Sequence, residues 1–143
     1  MAEQTYFEDV QEGQEIPTIV KKPSTQQLVH WAAASGDFYQ IHYDPDFAKA
    51  NNLDGIIVHG ALKNAFLGQA VWEFAGHKGK IRSFSCSYRG MDVPGKELRI
   101  KGQVKRKYQE GQNNLVELEI WVENEDGQKT TPGGALVALP SRR

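Results

Sequence analysis

Asp37 and His42 stand five residues apart in a short polar and aromatic segment, Asp37-Phe38-Tyr39-Gln40-Ile41-His42. Histidine is the side chain whose ordinary pKa lies nearest neutrality, so it can both take and give a proton. A carboxylate held beside it can orient a water or serve as the second acid/base. The spacing alone leaves an ordinary alternative open, in which Asp37 caps a turn after Gly36 and His42 fills space. A second candidate is His59-Gly60, placed where a long helix should begin. The first N–H groups of a helix have no internal partner and carry partial positive charge. A glycine there lets a ligand carbonyl come close to the backbone, which would make the Gly60 N–H an oxyanion donor. The alternative is that Gly60 relieves a tight strand-to-helix turn. A metal site of Asp37, His42 and His59 has two imidazoles but lacks dense carboxylates, so it ranks low. No metal or cofactor is expected.

Both candidates depend on elements that fix their ends. Ser24 is a good helix N-cap, and Gln27 follows at the capping-box interval. Leu28, Trp31, Ala32 and Ser35 recur at helical spacing, and Gly36 supplies a left-handed stop. A second short helix starts at Asp44-Pro45, where Asp44 caps and proline fits the first helical position. It should end near Asn51-Asn52. The Asp37–His42 segment is therefore a loop tied down by a helix at each end. Ile56-Ile57-Val58 then leads into His59-Gly60 and the run Ala61 to Ala75, which reads as a helix ended by Gly76. Its apolar residues fall on all sides, which predicts burial all round.

The pattern then turns from helical to alternating. Phe84, Cys86 and Tyr88 share one strand face, with Ser83, Ser85 and Ser87 on the other. Val93-Pro94-Gly95 is a turn. Leu98, Ile100 and Val104 alternate with Arg99, Lys101 and Lys105. After the Glu110-Gly111 turn, Val116, Leu118, Ile120 and Val122 alternate with Glu117, Glu119 and Glu123. A basic outer face followed by an acidic one favours an antiparallel hairpin. Asp126-Gly127 is a hairpin turn, and a last strand runs through Ala135–Leu139, with Gly133-Gly134 as a bulge. Upstream, Ile16 to Lys21 predicts a short first strand, and Tyr6–Ile16 is expected to wrap loosely onto the rest. The sum is an α+β chain: a curved antiparallel sheet wrapped around a long central helix, the hot-dog architecture.

Bulk properties agree with an ordinary globular protein. The 143 residues predict a single domain over 1–143, with 39% hydrophobic and 24% charged residues. Seventeen basic against eighteen acidic side chains leave a net charge of −1, which argues against a nucleic-acid partner. The single cysteine, Cys86, cannot form an intrachain disulfide or a cysteine-based zinc site, and its alternation with Phe84 and Tyr88 places it in the core. Met1 to Asp9 is polar and acidic, unlike a signal peptide, and no apolar run approaches the ~20 residues of a membrane helix. A cytoplasmic chain with no membrane partner is expected. His30 and His77 have no evident partner. Arg82, Arg89 and Lys63 could meet a phosphate, although each also fits an ordinary solvated charge.

The segment Ala34-Ser35-Gly36-Asp37-Phe38-Tyr39-Gln40-Ile41-His42-Tyr43-Asp44, followed by Ile57-Val58-His59-Gly60, resembles the signature of the MaoC-like (R)-specific enoyl-CoA hydratases and acyl dehydratases. Those motifs run approximately S-G-D-x-N-P-I-H-x-D and then I-V-H-G-M, at the same separation. Tyr6–Ile16 and Tyr88–Pro94 are also similar to the family, so the resemblance covers nearly the whole chain. It implies Asp37 and His42 as the catalytic pair and Gly60 as the amide donor to a thioester oxygen. It also implies the reaction: syn hydration of a trans-2-enoyl thioester of CoA or acyl carrier protein to the (R)-3-hydroxyacyl product, or the reverse. No metal or redox cofactor is implied. Tyr39 and Gln40 depart from the usual Asn-Pro, Ala61 replaces a common Met, and Gly68 falls where some members carry a Ser.

Two rival functions share this fold. Hot-dog thioesterases generally place a catalytic carboxylate on or near the central helix, and the only acid within Ala61–Ala75 is Glu73, near its far end. The family also contains paired subunits of which one keeps the catalytic residues, and the presence of both Asp37 and His42 predicts an active chain. A lone hot dog exposes a sheet edge and a helix face, so a homodimer, or a heterodimer with a related hot-dog subunit, is expected.

Overall fold

The computed structural model describes residues 3–143; Met1 and Ala2 lie outside them. Helix α1 (Thr25–Ser35) starts where Ser24 accepts the Gln27 N–H at 3.1 Å and stops at Gly36, whose φ of 78° is left-handed. Helix α2 (Pro45–Ala50) starts where Asp44 accepts the N–H groups of Asp46 and Phe47, both at 3.0 Å. Between them, residues 40–42 make one turn of 3₁₀ helix. The central helix α3 (Gly60–Ala75) ends at Gly76.

The strands are β1 (Ile19–Lys21), β2 (Lys80–Cys86), β3 (Leu98–Glu110), β4 (Asn113–Glu123) and β5 (Lys129–Ala138). They form one antiparallel sheet in the order β1-β3-β4-β5-β2. Helix α3 packs against β2, β3, β4 and β5, which makes this the hot-dog arrangement. Leu62, Phe66, Leu67 and Val71 of the helix meet Ile100, Leu118, Ile120 and Val137 of the sheet in one buried cluster. Each such side chain, fully buried, contributes roughly 1.5–3 kcal/mol. The predicted charge pairing is present in part: Arg99 lies opposite Glu123 and Lys101 Nζ reaches Glu123 at 3.6 Å, while a register shift between Val104 and Arg106 passes over Lys105 and sets Arg106 opposite Glu117.

Five expectations need correction. The first strand begins at Ile19, because Pro17 cannot donate to a ladder. Residues 6–16 are held firmly: Val10 and Ile16 are buried, and Lys107 Nζ donates to the carbonyls of Phe7 and Val10 at 2.8 Å each. The last strand starts at Lys129, and Gly133 and Gly134 lie in register within it; the β4–β5 shift falls at Val122/Glu123 instead. Gly133 is needed because a Cβ there would lie 2.3 Å from the Ser85 carbonyl of β2. Helix α3 is not buried all round, since Ala61, Ala65 and Trp72 form an exposed stripe. Lys63 is not a solvated charge but is buried.

Candidate active site

Asp37 and His42 do converge. His42 Nδ1 donates to the Ile57 carbonyl at 2.8 Å, which fixes the proton on that nitrogen in the neutral ring and leaves the Nε2 lone pair free. Nε2 faces Asp37 Oδ2 at 3.8 Å, too long for a direct hydrogen bond and short enough for one small molecule to touch both. The other Asp37 oxygen, Oδ1, accepts the Tyr39 N–H at 3.3 Å. One oxygen therefore holds the turn, as the ordinary reading had it, while the other faces the imidazole. The His42 side chain is 8% exposed and that of Asp37 42%, so the pair opens to solvent from the carboxylate side.

His59 lies against this pair. Its ring stacks on that of His42 with centroids 3.8 Å apart and planes 21° from parallel. Its Nε2 donates to the Asp37 carbonyl at 3.3 Å, and its Nδ1 is buried with no partner among the described residues. Burial, then the neighbouring His42, lower its pKa below the ordinary 6.5 and favour the neutral ring. Asp37, His42 and His59 do offer three ligand atoms within 4.8 Å of one another. A metal, however, sits about 2 Å from a ring nitrogen, in line with its lone pair. Two stacked, near-parallel imidazoles do not aim their lone pairs at one such point, so these residues fit a shared ion poorly.

Gly60 is the first residue of α3, and among the described residues no carbonyl accepts its N–H. A Cβ on Gly60 would lie 3.1–3.2 Å from three atoms of the Tyr88 ring. The space the glycine leaves is thus taken by Tyr88. The contact is one rung of a ladder: Gly68 faces Phe84, Asn64 Nδ2 donates to Cys86 Sγ at 3.1 Å, and Gly60 faces Tyr88. Four helical residues and two extended residues each advance about 6–7 Å, so the rungs stay in step from β2 into the extended segment that follows it. Cys86 is accordingly half-buried at a seam, beside the core instead of within it. Partial desolvation of its packed face, and then Cys86, raise the half-exposed Tyr88 hydroxyl above its ordinary 10.0.

The departures from the family pattern also find places. Tyr39 sets its ring edge-on to His42, with centroids 6.3 Å apart, and to Phe47 of α2 at 5.9 Å. The Gln40 carbonyl accepts the Asp44 N–H at 2.8 Å, tying the loop to the cap of α2. Beside Gly68, a Cβ would have ordinary clearance of 4.0 Å from Phe84. His30 and His77 are exposed. A concavity of about 370 Å³ lies away from this site, between Ser85, Lys105, Tyr108 and Glu117 on the sheet.

The family model described as MaoC like domain matches residues 4–126. The chain belongs to that family. Among solved structures, this MaoC-like chain is similar to the unliganded R-hydratase PhaJ1 from Pseudomonas aeruginosa, with a TM-score of 0.85 and 22% identity over 96% of this chain and 86% of that one. It is also similar to a chain of the ChsH1-ChsH2 complex from Mycobacterium tuberculosis, with a TM-score of 0.78 and 20% identity over 90% of this chain and 97% of that one. At such identities the likeness is one of fold. A fatty acid synthase beta subunit, TOXC, of Cochliobolus carbonum is 34% identical over 85 residues, which are 58% of the MaoC-like chain and 4% of that relative. The chain thus spans a small fraction of the curated relatives it matches, 9% in the case of a peroxisomal hydratase-dehydrogenase-epimerase of Neurospora crassa.

Sequence reasoning did not find the roles of Tyr88, Asn64, Lys63 and Asp92. One signal was available: a lysine inside a helix predicted to be buried needs a partner.

Proposed function

We propose that this chain is a hydratase/dehydratase that interconverts trans-2-enoyl and (R)-3-hydroxyacyl thioesters of CoA or acyl carrier protein. The observation that carries this reading is the 3.8 Å gap between His42 Nε2 and Asp37 Oδ2, with Nδ1 tethered to Ile57 and the free amide of Gly60 at the mouth of α3. In hydration, a water between the two side chains gives a proton to the pair as its oxygen attacks C3. A proton is then delivered to C2, so the elements of one water are added across the double bond. The negative charge that develops on the thioester oxygen is met by the Gly60 N–H and the N-terminal dipole of α3. The neutral His59 holds the His42 ring from behind. The unit we propose is a homodimer, or a heterodimer with a related hot-dog subunit.

The test is loss of the conjugated-enoyl absorbance of a short trans-2-enoyl-CoA. The wild type should turn over, while Asp37→Asn and His42→Ala should each lose about 10²-fold or more, the usual weight of a positioned acid/base. Release of free thiol would instead mark a thioesterase. Wild-type activity that persists in both variants would end this reading.

A further inference from the structure

The first turn of α3 carries a charge that stability does not explain. The Lys63 side chain is 2% exposed, and its Nζ donates to Asp92 Oδ2 and to the Gly90 carbonyl, each at 2.9 Å. Asp92 Oδ2 also accepts the Thr130 hydroxyl at 2.6 Å. A cation near a helix N-terminus is opposed by the dipole, and a buried ion pair is often no more stabilising than well-packed apolar side chains. What these bonds supply is direction.

They act on residues 88–92. The N–H groups of Arg89 and Gly90 both donate to the Thr130 carbonyl at 2.9 Å, and the Asp92 carbonyl accepts the Val58 N–H at 2.8 Å. Val58 directly precedes His59 and Gly60. The segment is thus fastened to β5, to the chain entering α3 and, through Lys63, to the first turn of α3. Tyr88 leads into it. Three nearly equal distances of 3.1–3.2 Å from the Gly60 Cβ position to the Tyr88 ring place Gly60 over the ring face.

We propose that the Lys63–Asp92 pair, with Thr130, is a positioning device that seats the Tyr88 ring on Gly60 and so sets the exposure and direction of the Gly60 amide. This rests on Gly60 being the donor to the thioester oxygen. A ring face against Gly60 keeps water from one side of the donor, and a donor so shielded acts more strongly on developing charge. Lys63, Asp92 and Tyr88 are positioning residues, since the amide alone would touch the substrate.

Two readouts test this, one of them independent of activity. In NMR spectra of the wild type, the Gly60 α-protons should be shifted upfield by the Tyr88 ring, and Tyr88→Ala defines their unshifted position. Asp92→Asn, and the double variant Lys63→Met/Asp92→Leu, should move them at least halfway there. The double variant replaces the pair with apolar side chains, so its melting temperature should stay level or rise. Its kcat on trans-2-enoyl-CoA should nonetheless fall by about tenfold, part of the loss expected for a weakened oxyanion donor, with KM little changed. Tyr88→Ala should lose kcat similarly, and Tyr88→Phe, which keeps the ring, should recover most of it. A double variant with wild-type Gly60 shifts, or with wild-type kcat, overturns the proposal. A wild type inert on every enoyl thioester, both alone and with a related hot-dog subunit, would sink the hydratase reading instead, and the proton shifts would still decide whether the pair seats the ring.

Discussion

Asp37 divides its work between its two oxygens: Oδ1 holds the Tyr39 N–H and Oδ2 faces His42. The structural and chemical readings of this residue are therefore not rivals, because the turn it caps is what aims the second oxygen. His42 is divided in the same way, with Nδ1 spent on the Ile57 carbonyl and Nε2 facing Asp37 Oδ2. His59 is the residue whose protonation the fold resists. Its pKa lies below the ordinary 6.5 because the ring is buried and stacked on His42. Below pH 6.5 the unfolded chain binds a proton here that the folded chain does not. Stability should therefore fall as pH drops through that value and level off below the lower, folded pKa. Thermal melts between about pH 7.5 and pH 5.5 measure this, and His59→Gln should show a shallower fall than the wild type. Parallel slopes would mean that His59 is not the group involved.

At the scale of elements, the caps are what made the site's frame legible. Ser24, Gly36, and Asp44 with Pro45 are local signals, and each acts in the structure as its residue types dictate. They bracket the loop that carries Asp37 and His42, so the place of the pair could be read without knowing the sheet. The strand alternation and the Gly111 and Gly127 turns gave the β3-β4-β5 meander for the same reason. What was not legible is nonlocal. Nothing near Gly133 in the chain shows that the Ser85 carbonyl passes close by, and nothing near Gly60 shows that a ring 28 residues on fills its missing side chain. The burial of Lys63 likewise depends on an acid and a threonine from other elements. The frame itself can be tested at Asp44. Asp44→Ala removes the acceptor for two helical N–H groups and should cost about 1 kcal/mol in urea unfolding, with Asp44→Asn recovering most of it. Helix α2 carries Phe47, against which Tyr39 and through it His42 are packed, so the Ala variant should also lose some turnover. An unchanged unfolding midpoint would show that the cap is dispensable.

At the scale of the whole molecule, the described residues leave one side uncovered. Strand β2 is a sheet edge seven residues long with no proline, and its first four residues are exposed. Beside it the stripe Ala61, Ala65 and Trp72 of α3 faces outward, with Trp72 59% exposed. Tyr88, which covers Gly60, is itself 57% exposed on the same seam. An open edge next to an apolar stripe is a surface that natural sheets cover or protect. Lys80 and Arg82 discourage indiscriminate pairing. An antiparallel pairing of two β2 strands centred on Ser83 would nevertheless set Arg82 opposite Phe84 and Lys80 opposite Cys86, with no like charges face to face. A second hot dog seated there would bury the edge and the stripe together and wall the open side of the seam. Light scattering after gel filtration should therefore give twice the mass of one chain. Ile81→Lys with Trp72→Lys should halve that mass and abolish most of the turnover, because the same surface closes the seam. A wild type that runs as one chain and still hydrates an enoyl thioester would refute the dimer. One that is inert alone and gains activity only when a related hot-dog chain is added would assign the uncovered side to that partner.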